Sequence, residues 1–216
     1  MTHARIDDIC AALSECFAAQ ERAVAEWHKA EPAFPGDGPA PGLEGLAGLV
    51  LRQHWANFGL WHVEDRARRR DVGPEVIAEC KQAIDRLNQE RNDLIERIDA
   101  RLVECLTPLL PPDARDRRNT ETVGSALDRM SILALKLFHM DEQVRRVNVD
   151  EEHRRECRRK HTVLAGQRAE LGRAILELVG EFAAGLKCPQ VYYQFKMYND
   201  PRLNPELYGA GGGRRG

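Results

Sequence analysis

The sequence lacks features that mark several large protein classes. Its 32 basic residues are balanced by 34 acidic ones, so the formal net charge is −2 and there is no basic excess of the kind seen in nucleic-acid-binding domains. No apolar run reaches the roughly 18 residues that a membrane-spanning helix needs. The first ten residues, MTHARIDDIC, contain no apolar signal core. We therefore expect a cytoplasmic protein without a membrane partner, and a nucleic-acid role ranks third among the candidate functions.

The usual cysteine and metal-binding motifs are missing as well. The six cysteines include no Cys-x-x-Cys pair, and no Cys/His group has the spacing of zinc ligands. Four of the six fall within helical patterns where a small apolar residue would serve, so we expect reduced and mostly buried thiols. Neither the Glu-x-x-His pair of di-iron bundles nor a His-Glu-x-x-His motif occurs. No cofactor is identified, and the presence of a metal is left open.

Strand signals are nearly absent, whereas long stretches repeat apolar residues at helical spacing. A proline- and glycine-rich segment at 30–42 separates the first helix from the second. Short connections between long helices favour antiparallel neighbours. We predict an all-α fold, a long antiparallel bundle of four main helices plus an N-terminal helix. The predicted helices cover 6–27, 43–70, 74–106, about 119–143 and about 150–186.

The C-terminal segment differs in kind from the predicted bundle. All four tyrosines of the chain fall within residues 188–209, where three prolines interrupt any helix. We predict two parts: a bundle at 1–187 and a Tyr-rich irregular segment at 188–216. The segment is expected to pack on the bundle, and its glycine-rich tip is expected to be disordered.

The second helix carries an unusual mixture of side chains on one face. On a helical wheel, His54, Asn57, Trp61, Asp65 and Arg68 lie within a narrow sector. A surface face would seldom combine Trp with His and Asn, and a core face would not contain Asp and Arg. The mixture favours a polar pocket with one aromatic wall.

The fourth helix is apolar around most of its circumference near its middle, which is typical of a helix surrounded by others. Glu121, Asp128 and His139 nevertheless share one stripe of it, while Arg129 and Lys136 lie about 80–100° away on the wheel. Charged groups placed in this way need partners, because an unpaired buried charge is costly.

Candidate partners come from the second and third helices. Arg91 occupies a heptad core position where Leu or Ile is expected, so it either reaches water or points its donors into the interior. Arg68 or Arg91 could pair with Asp128, and Asp65 could pair with His139. Each polar residue also has a structural interpretation, since Asp128 and Arg91 could form a salt bridge that fixes the register of the bundle.

Three stretches resemble a bacterial family, domain of unknown function 4254: LWHVEDRAR (60–68), NTETVGSALDRMSILALKLFHM (119–140) and CPQVYYQFKMYNDPRLNPELYG (188–209). The resemblance covers most of the chain from the second helix onward. It implies an all-helical cytoplasmic protein without an established reaction, encoded near glycosyltransferases for cell-surface glycans. It adds two residues of the second helix to the candidate site, His62 and Glu64.

Two functions are consistent with these patterns. The first is an enzyme or binding protein whose polar site lies between the second and fourth helices and takes a small anionic ligand, such as a sugar or nucleotide phosphate. Its acid/base or metal groups would be Asp65, Asp128 and His139. Its other ligand-binding residues would be His54, Asn57, Trp61, His62, Glu64, Arg68, Arg91, Arg129, Lys136, Tyr192 and Tyr193. The alternative is a helical adaptor whose Tyr-rich segment docks a partner protein, and a homo-oligomer is compatible with either.

Overall fold

The chain folds into an all-α bundle, as predicted. The computed structural model describes residues 5–32, 42–197 and 200–208, and within these residues there is no β-strand. Most of the predicted proline loop, the tip after residue 208 and Tyr198 lie outside the described residues. The helices are α1 (Ile6–Trp27), α2 (Glu44–Ala67), α3 (Pro74–Leu106), α4 (Val123–Arg145), α5 (Glu151–Ala183) and α6 (Pro205–Tyr208), with a 3-10 turn at Thr107–Leu109.

Main helices that are joined by a short connection run antiparallel, namely α2 with α3 and α4 with α5. The end of α2 lies near the start of α3, where Arg66 pairs with Glu79 at 3.7 Å. At the other end of the same pair, Arg101 donates to the carbonyl of Gly42, just before α2, at 2.8 Å. Helices α4 and α5 form a second antiparallel pair. Helices α1, α2 and α4 run in one direction, because His28 at the end of α1 packs against His62 and His139, which lie in the C-terminal parts of α2 and α4. Helices α3 and α5 run in the other direction.

Two helix boundaries differ from the prediction for reasons of capping. Helix α4 begins at Val123 rather than near 119, because the Thr122 hydroxyl caps the helix by accepting from the Ser125 amide at 3.1 Å. Helix α5 ends at Ala183 rather than near 186, because Gly185 adopts φ +68° and donates to the Phe182 carbonyl.

The bundle interior changes character along its length. One end is an aliphatic core formed by all five long helices, with fully buried side chains such as Leu13, Leu49, Ile98, Leu127 and Ile175. The other end is an aromatic cluster in which Phe58 and Leu135 are buried and Trp27, Trp61 and Phe138 pack against them. Buried polar side chains of α2 and α4 lie between these two apolar parts. The candidate site is built where this change occurs.

The cysteines and the apolar content of the helices agree with the sequence analysis. All six cysteines are free thiols, three of them buried and three half-buried. No described helix is long and apolar enough to cross a membrane.

Candidate functional site

Asp128 on α4 is the centre of a buried hydrogen-bond network. Asp128 is only 4% exposed. Its carboxylate accepts hydrogen bonds from the side-chain amides of Gln53 and Asn57 on α2, the latter at 2.9 Å. Arg91 on α3 donates to both carboxylate oxygens, through Nε at 2.8 Å and Nη2 at 2.5 Å. These donors fix three helices relative to one another. We call Gln53, His54, Asn57, Arg91, Asp128 and Ser131 the polar layer.

The predicted partner of Asp128 is therefore Arg91 and not Arg68. Arg68 instead pairs with Glu64 at 3.0 Å on an exposed part of α2. The fork of Arg91 engages the carboxylate with two parallel bonds, which is the strongest form of this ion pair. This hydrogen bond to Asp128 raises the pKa of Arg91.

His54 extends the polar layer without carrying charge. Its Nδ1 lies 2.7 Å from the Ser131 hydroxyl, and the same hydroxyl accepts from Asn57 at 2.9 Å. Because Asn57 donates to Ser131, the hydroxyl hydrogen is free to point at His54 Nδ1. Burial lowers the pKa of His54 to about 3, so the ring is neutral at pH 7.

A second group of ionisable residues lies in the aromatic part of the bundle. His28 follows the end of α1, His62 lies on α2 and His139 on α4, and one nitrogen from each ring lies within 4.8 Å of the other two. We call these three residues the histidine cluster. The nearest ring centroids, those of His28 and His139, are 4.8 Å apart. Burial and the two neighbouring imidazoles lower the pKa of His62.

The surrounding side chains hold two of the three rings in place. His139 stacks on Trp61 with centroids 4.6 Å apart and planes inclined by 9°. His28 stacks on Phe138 at 4.0 Å. His62 packs edge-on against Phe58 at 4.5 Å and is otherwise exposed.

Hydrogen bonds at Nδ1 determine which nitrogens of His28 and His139 are available. Nδ1 of His28 lies 2.7 Å from the Val24 carbonyl, and Nδ1 of His139 lies 2.8 Å from the Glu142 carboxylate. A carbonyl or carboxylate can only accept, so both Nδ1 atoms carry the proton. Within the described residues neither Nε2 has a hydrogen-bond partner, although both atoms are buried. Leaving a buried polar atom unsatisfied costs about 1–3 kcal/mol, so the arrangement requires an explanation.

A cavity near these residues opens between α2, α4 and α5, and we call it the main cavity. It has a volume of about 650 Å³, within the range of small-molecule sites. Apolar side chains, including Met140, Val163 and Leu164, form part of its wall. Its ring-bearing and charged residues are Trp61, Asp65, Lys136, His139, Arg159 and Lys160.

The structure brings two of the three predicted catalytic residues to this cavity. Asp65 and His139 both line it, whereas Asp128 lies in the polar layer and is not among the lining residues. The predicted pairing of Asp65 with His139 is wrong, because His139 binds Glu142 three residues ahead on its own helix. His54 and Asp128 likewise do not converge with His139 on a common metal position within the described residues.

The other predicted ligand-binding residues are spread over neighbouring surfaces. Asn57, Glu64, Arg68 and Arg91 line a second cavity of about 440 Å³, to which Trp61 and Asp65 also contribute. Arg129 pairs with Glu121 at 2.8 Å and lines a third cavity of about 550 Å³ together with Lys136.

Tyr192 and Tyr193 do not line the main cavity. The Tyr192 hydroxyl donates to the Asn119 carbonyl at 3.1 Å, before α4 begins. Tyr193 stacks on Phe195 at 5.5 Å, and both rings are more than half exposed. The nearby Gln194 amide bonds to Glu96 at 2.8 Å, so this segment follows α3.

Comparison with known proteins identifies a family. The model of a family described as a protein of unknown function, DUF4254, matches residues 47–191 of this chain, which is more than half of its length. The chain belongs to the DUF4254 family. The match includes most of α2, all of α4 and all of the polar layer, and it begins after His28. No curated protein and no solved structure matches the chain.

The sequence analysis missed His28, and the sequence contains only a weak signal for it. His28 comes directly after the predicted stripe of α1, and it is separated from its two partners by 34 and 111 residues of sequence, so no spacing motif connects them. A conspicuous signal was that three of the seven histidines immediately follow a Trp or Phe: His28, His62 and His139. These are the three members of the histidine cluster.

Proposed function

We propose that this DUF4254 protein binds a small anionic ligand, such as a sugar phosphate or nucleotide, in the main cavity. The observation that carries the proposal is the combination of a ring wall with an excess of cationic side chains in one cavity of about 650 Å³. Three cations and one carboxylate line this cavity. Such a mixture favours a ligand that has both a ring and an anionic group.

The cations differ in how free they are to meet a ligand. Arg159 forms two hydrogen bonds with Glu156, at 2.9 and 2.8 Å, and Lys160 shares the same carboxylate at 3.5 Å. Lys136 is exposed and has no ion pair within the described residues. Lys136 is therefore the cation whose charge is least neutralised by the protein, and we assign it the largest part in holding the anion.

His139 and Asp65 are the candidate acid and base. The Glu142 carboxylate orients the imidazole of His139, which leaves Nε2 as the atom that can accept or return a proton. Asp65 is an exposed carboxylate on the α2 side of the same cavity. Asp128 contributes indirectly in this proposal, because its network fixes α2 and α4, the helices that carry Asp65 and His139.

The link to cell-surface glycan synthesis comes from the family resemblance alone, and it determines which ligands to test first. Nucleoside diphosphate sugars and sugar 1-phosphates are the activated donors of glycan assembly and combine a ring with an anion. Isothermal titration calorimetry of the wild-type protein should detect saturable binding of at least one of them, with inorganic sulfate as a comparison ligand.

Lys136→Gln should weaken that binding about tenfold or more, because it removes one charge-assisted contact. Lys81→Gln is the matched control, because Lys81 pairs with Asp85 on the exposed side of α3 and lies outside the main cavity. Absence of binding across the panel, or equal affinities in both variants and the wild type, would contradict the proposal.

A helical adaptor remains the second candidate, and one observation favours it. Tyr192, Tyr193, Phe195 and Met197 are 49–79% exposed on a segment that lies along α3. Protein interfaces are enriched in such aromatic and Met side chains. An adaptor should bind its partner through these residues and should not respond to phosphorylated ligands.

Replacing Tyr193 and Phe195 with Ser tests the adaptor directly, since their rings contact each other and the segment keeps its other bonds to the bundle. Loss of a reproducible partner in the double variant, together with no binding in calorimetry, would support the adaptor. Retention of the partner would exclude this segment as its docking site.

A further inference from the structure

The histidine cluster has the composition of a metal site, and of its three members the sequence analysis named only His139 among the possible metal groups. Its three imidazoles come from the residue after α1, from α2 and from α4, and their candidate ligand nitrogens all lie within 4.8 Å of one another. Nitrogen ligands suit zinc and the later first-row transition metals, whereas magnesium and calcium prefer oxygen. A chance group of surface histidines would not have two of its three rings held by stacking against Trp61 and Phe138.

The hydrogen bonds in the cluster also favour a metal site. Nδ1 of His28 and Nδ1 of His139 are occupied by an acceptor, which leaves a lone pair on each Nε2. These two buried Nε2 atoms have no hydrogen-bond partner within the described residues. A metal ion is the kind of partner that would satisfy both at once.

The Glu142 carboxylate supplies a feature that recurs in metalloproteins. Metal-binding histidines usually donate their other N–H to a carboxylate or a backbone carbonyl, which fixes the tautomer and the ring orientation. His139 makes the carboxylate form of this contact at 2.8 Å, and His28 makes the carbonyl form at 2.7 Å.

We propose that His28, His62 and His139 bind a divalent transition-metal ion, with Zn²⁺ as the ion that fits best. Ligand nitrogens around a tetrahedral Zn²⁺ lie about 3.4 Å apart, so the nitrogens, now up to 4.8 Å apart, must approach by up to about 1.4 Å. His62 can supply part of this movement, because it is the exposed member of the cluster. Three protein ligands leave the fourth position for water or another small ligand, as in catalytic zinc sites.

This inference goes beyond the proposed anion site and does not depend on it. The two are adjacent, because His139 belongs to the histidine cluster and also lines the main cavity. An ion bound there would add positive charge next to the cavity, and its open position would be available to an anionic ligand.

The test uses tag-free, full-length protein that has been treated with a chelator and then titrated with Co²⁺ and Zn²⁺, with no anionic ligand present. Co²⁺ should bind with one-to-one stoichiometry and give the visible spectrum of a nitrogen-ligated ion, and Zn²⁺ should displace it. Because the chain has six free thiols, the absence of a sulfur-to-cobalt charge-transfer band is part of the expected result.

Variants identify the ligands. His62→Ala should lower the affinity at least 100-fold, and it should fold normally because His62 is exposed. His28→Ala should lower the affinity as well, and it tests a proposed ligand that lies outside the family match. His161→Ala is the matched control, since this half-buried histidine of α5 lies outside the cluster.

Three results would overturn the metal site: no stoichiometric Co²⁺ binding, a thiolate band in the spectrum, or equal affinity in His62→Ala and the wild type. Lys136→Gln separates the two proposals, because it should bind Co²⁺ like the wild type even if it has lost an anionic ligand. Failure of metal binding alone would leave the anion-binding result unchanged.

Discussion

Replacement of Asp128 should destabilise the protein more than replacement of any exposed carboxylate. Asp128→Ala removes the acceptor of four hydrogen bonds and leaves Gln53, Asn57 and the charged Arg91 without their partner. The side chains of the ion pair are only 6% and 26% exposed, for Asp128 and Arg91 respectively. Removing one partner of a buried pair costs about 3–5 kcal/mol of unfolding free energy. Asp128→Asn keeps one acceptor oxygen but also leaves the charge of Arg91 unpaired, so it should destabilise the protein as well.

The assay is urea unfolding followed by circular dichroism at pH 7, supported by thermal melting. For a chain of 216 residues, each 1 kcal/mol corresponds to about 2–4 °C in Tm, so Asp128→Ala should lower Tm by roughly 10 °C. Asp85→Asn is the control, because the exposed pair of Asp85 with Lys81 should be worth no more than about 1 kcal/mol.

A double-mutant cycle shows whether the loss belongs to the ion pair. Arg91→Ala and Asp128→Ala together should cost clearly less than the sum of the two single variants, because each single variant leaves the other charge buried and unpaired. A loss below 1 kcal/mol for Asp128→Ala, or strict additivity in the cycle, would refute the structural role given to the polar layer.

Two further predictions concern Gly124 and Asp99, which meet where α4 packs on α3. Gly124→Ala should destabilise the protein by about 2–3 kcal/mol, because a Cβ would lie 2.7 Å from the Ile95 carbonyl oxygen and from Asp99. Gly166→Ala is the control in the same unfolding assay. It should be neutral or stabilising, because nothing lies within 4 Å of the added Cβ. Equal effects of the two substitutions would mean that the close approach of α3 and α4 is wrong. Burial raises the pKa of Asp99 to about 6, above its ordinary value of 3.8, so its contribution to stability is greatest below pH 3.8 and is lost as the pH rises through 6. Relative to Asp99→Asn, the wild type should therefore lose about 2–3 kcal/mol between pH 4 and pH 7, measured by urea unfolding at each pH, and parallel pH profiles would contradict the raised pKa.

Much of the fold could be predicted because it depends on local pattern. Helix α3 begins at Pro74 and ends at Leu106 as expected, since proline suits a first turn and the apolar repeat is long. The start of α4 was predicted too early, because residues 115–119, which precede the Thr122 cap, are held by contacts with the chain near 185–190. The Cys188 amide bonds to the Arg117 carbonyl at 2.8 Å, which is a tertiary contact without a local signal.

The candidate site was predictable where a residue conflicted with its surroundings. Arg91 at a core position and Asp128 on an apolar helix each indicated a buried partner, and the structure pairs them. The partner of His139 was missed, because we expected it on another helix, whereas it is Glu142, three residues away on the same helix. The role of Asp128 as an acid or base was inferred from its stripe alone, which does not show whether a carboxylate faces a cavity or a set of donors.

The most direct test of the proposed ligand site is the response of the three tryptophan indole N–H signals in a ¹H–¹⁵N spectrum during titration with a nucleoside diphosphate sugar. Trp61 lines the main cavity, whereas Trp55 packs near Gly59 on another face of α2. The signal of Trp61, assigned with Trp61→Phe, should shift saturably while that of Trp55 stays in place. An unchanged Trp61 signal at saturating ligand, or changes confined to residues 188–197, would place the function elsewhere in the molecule.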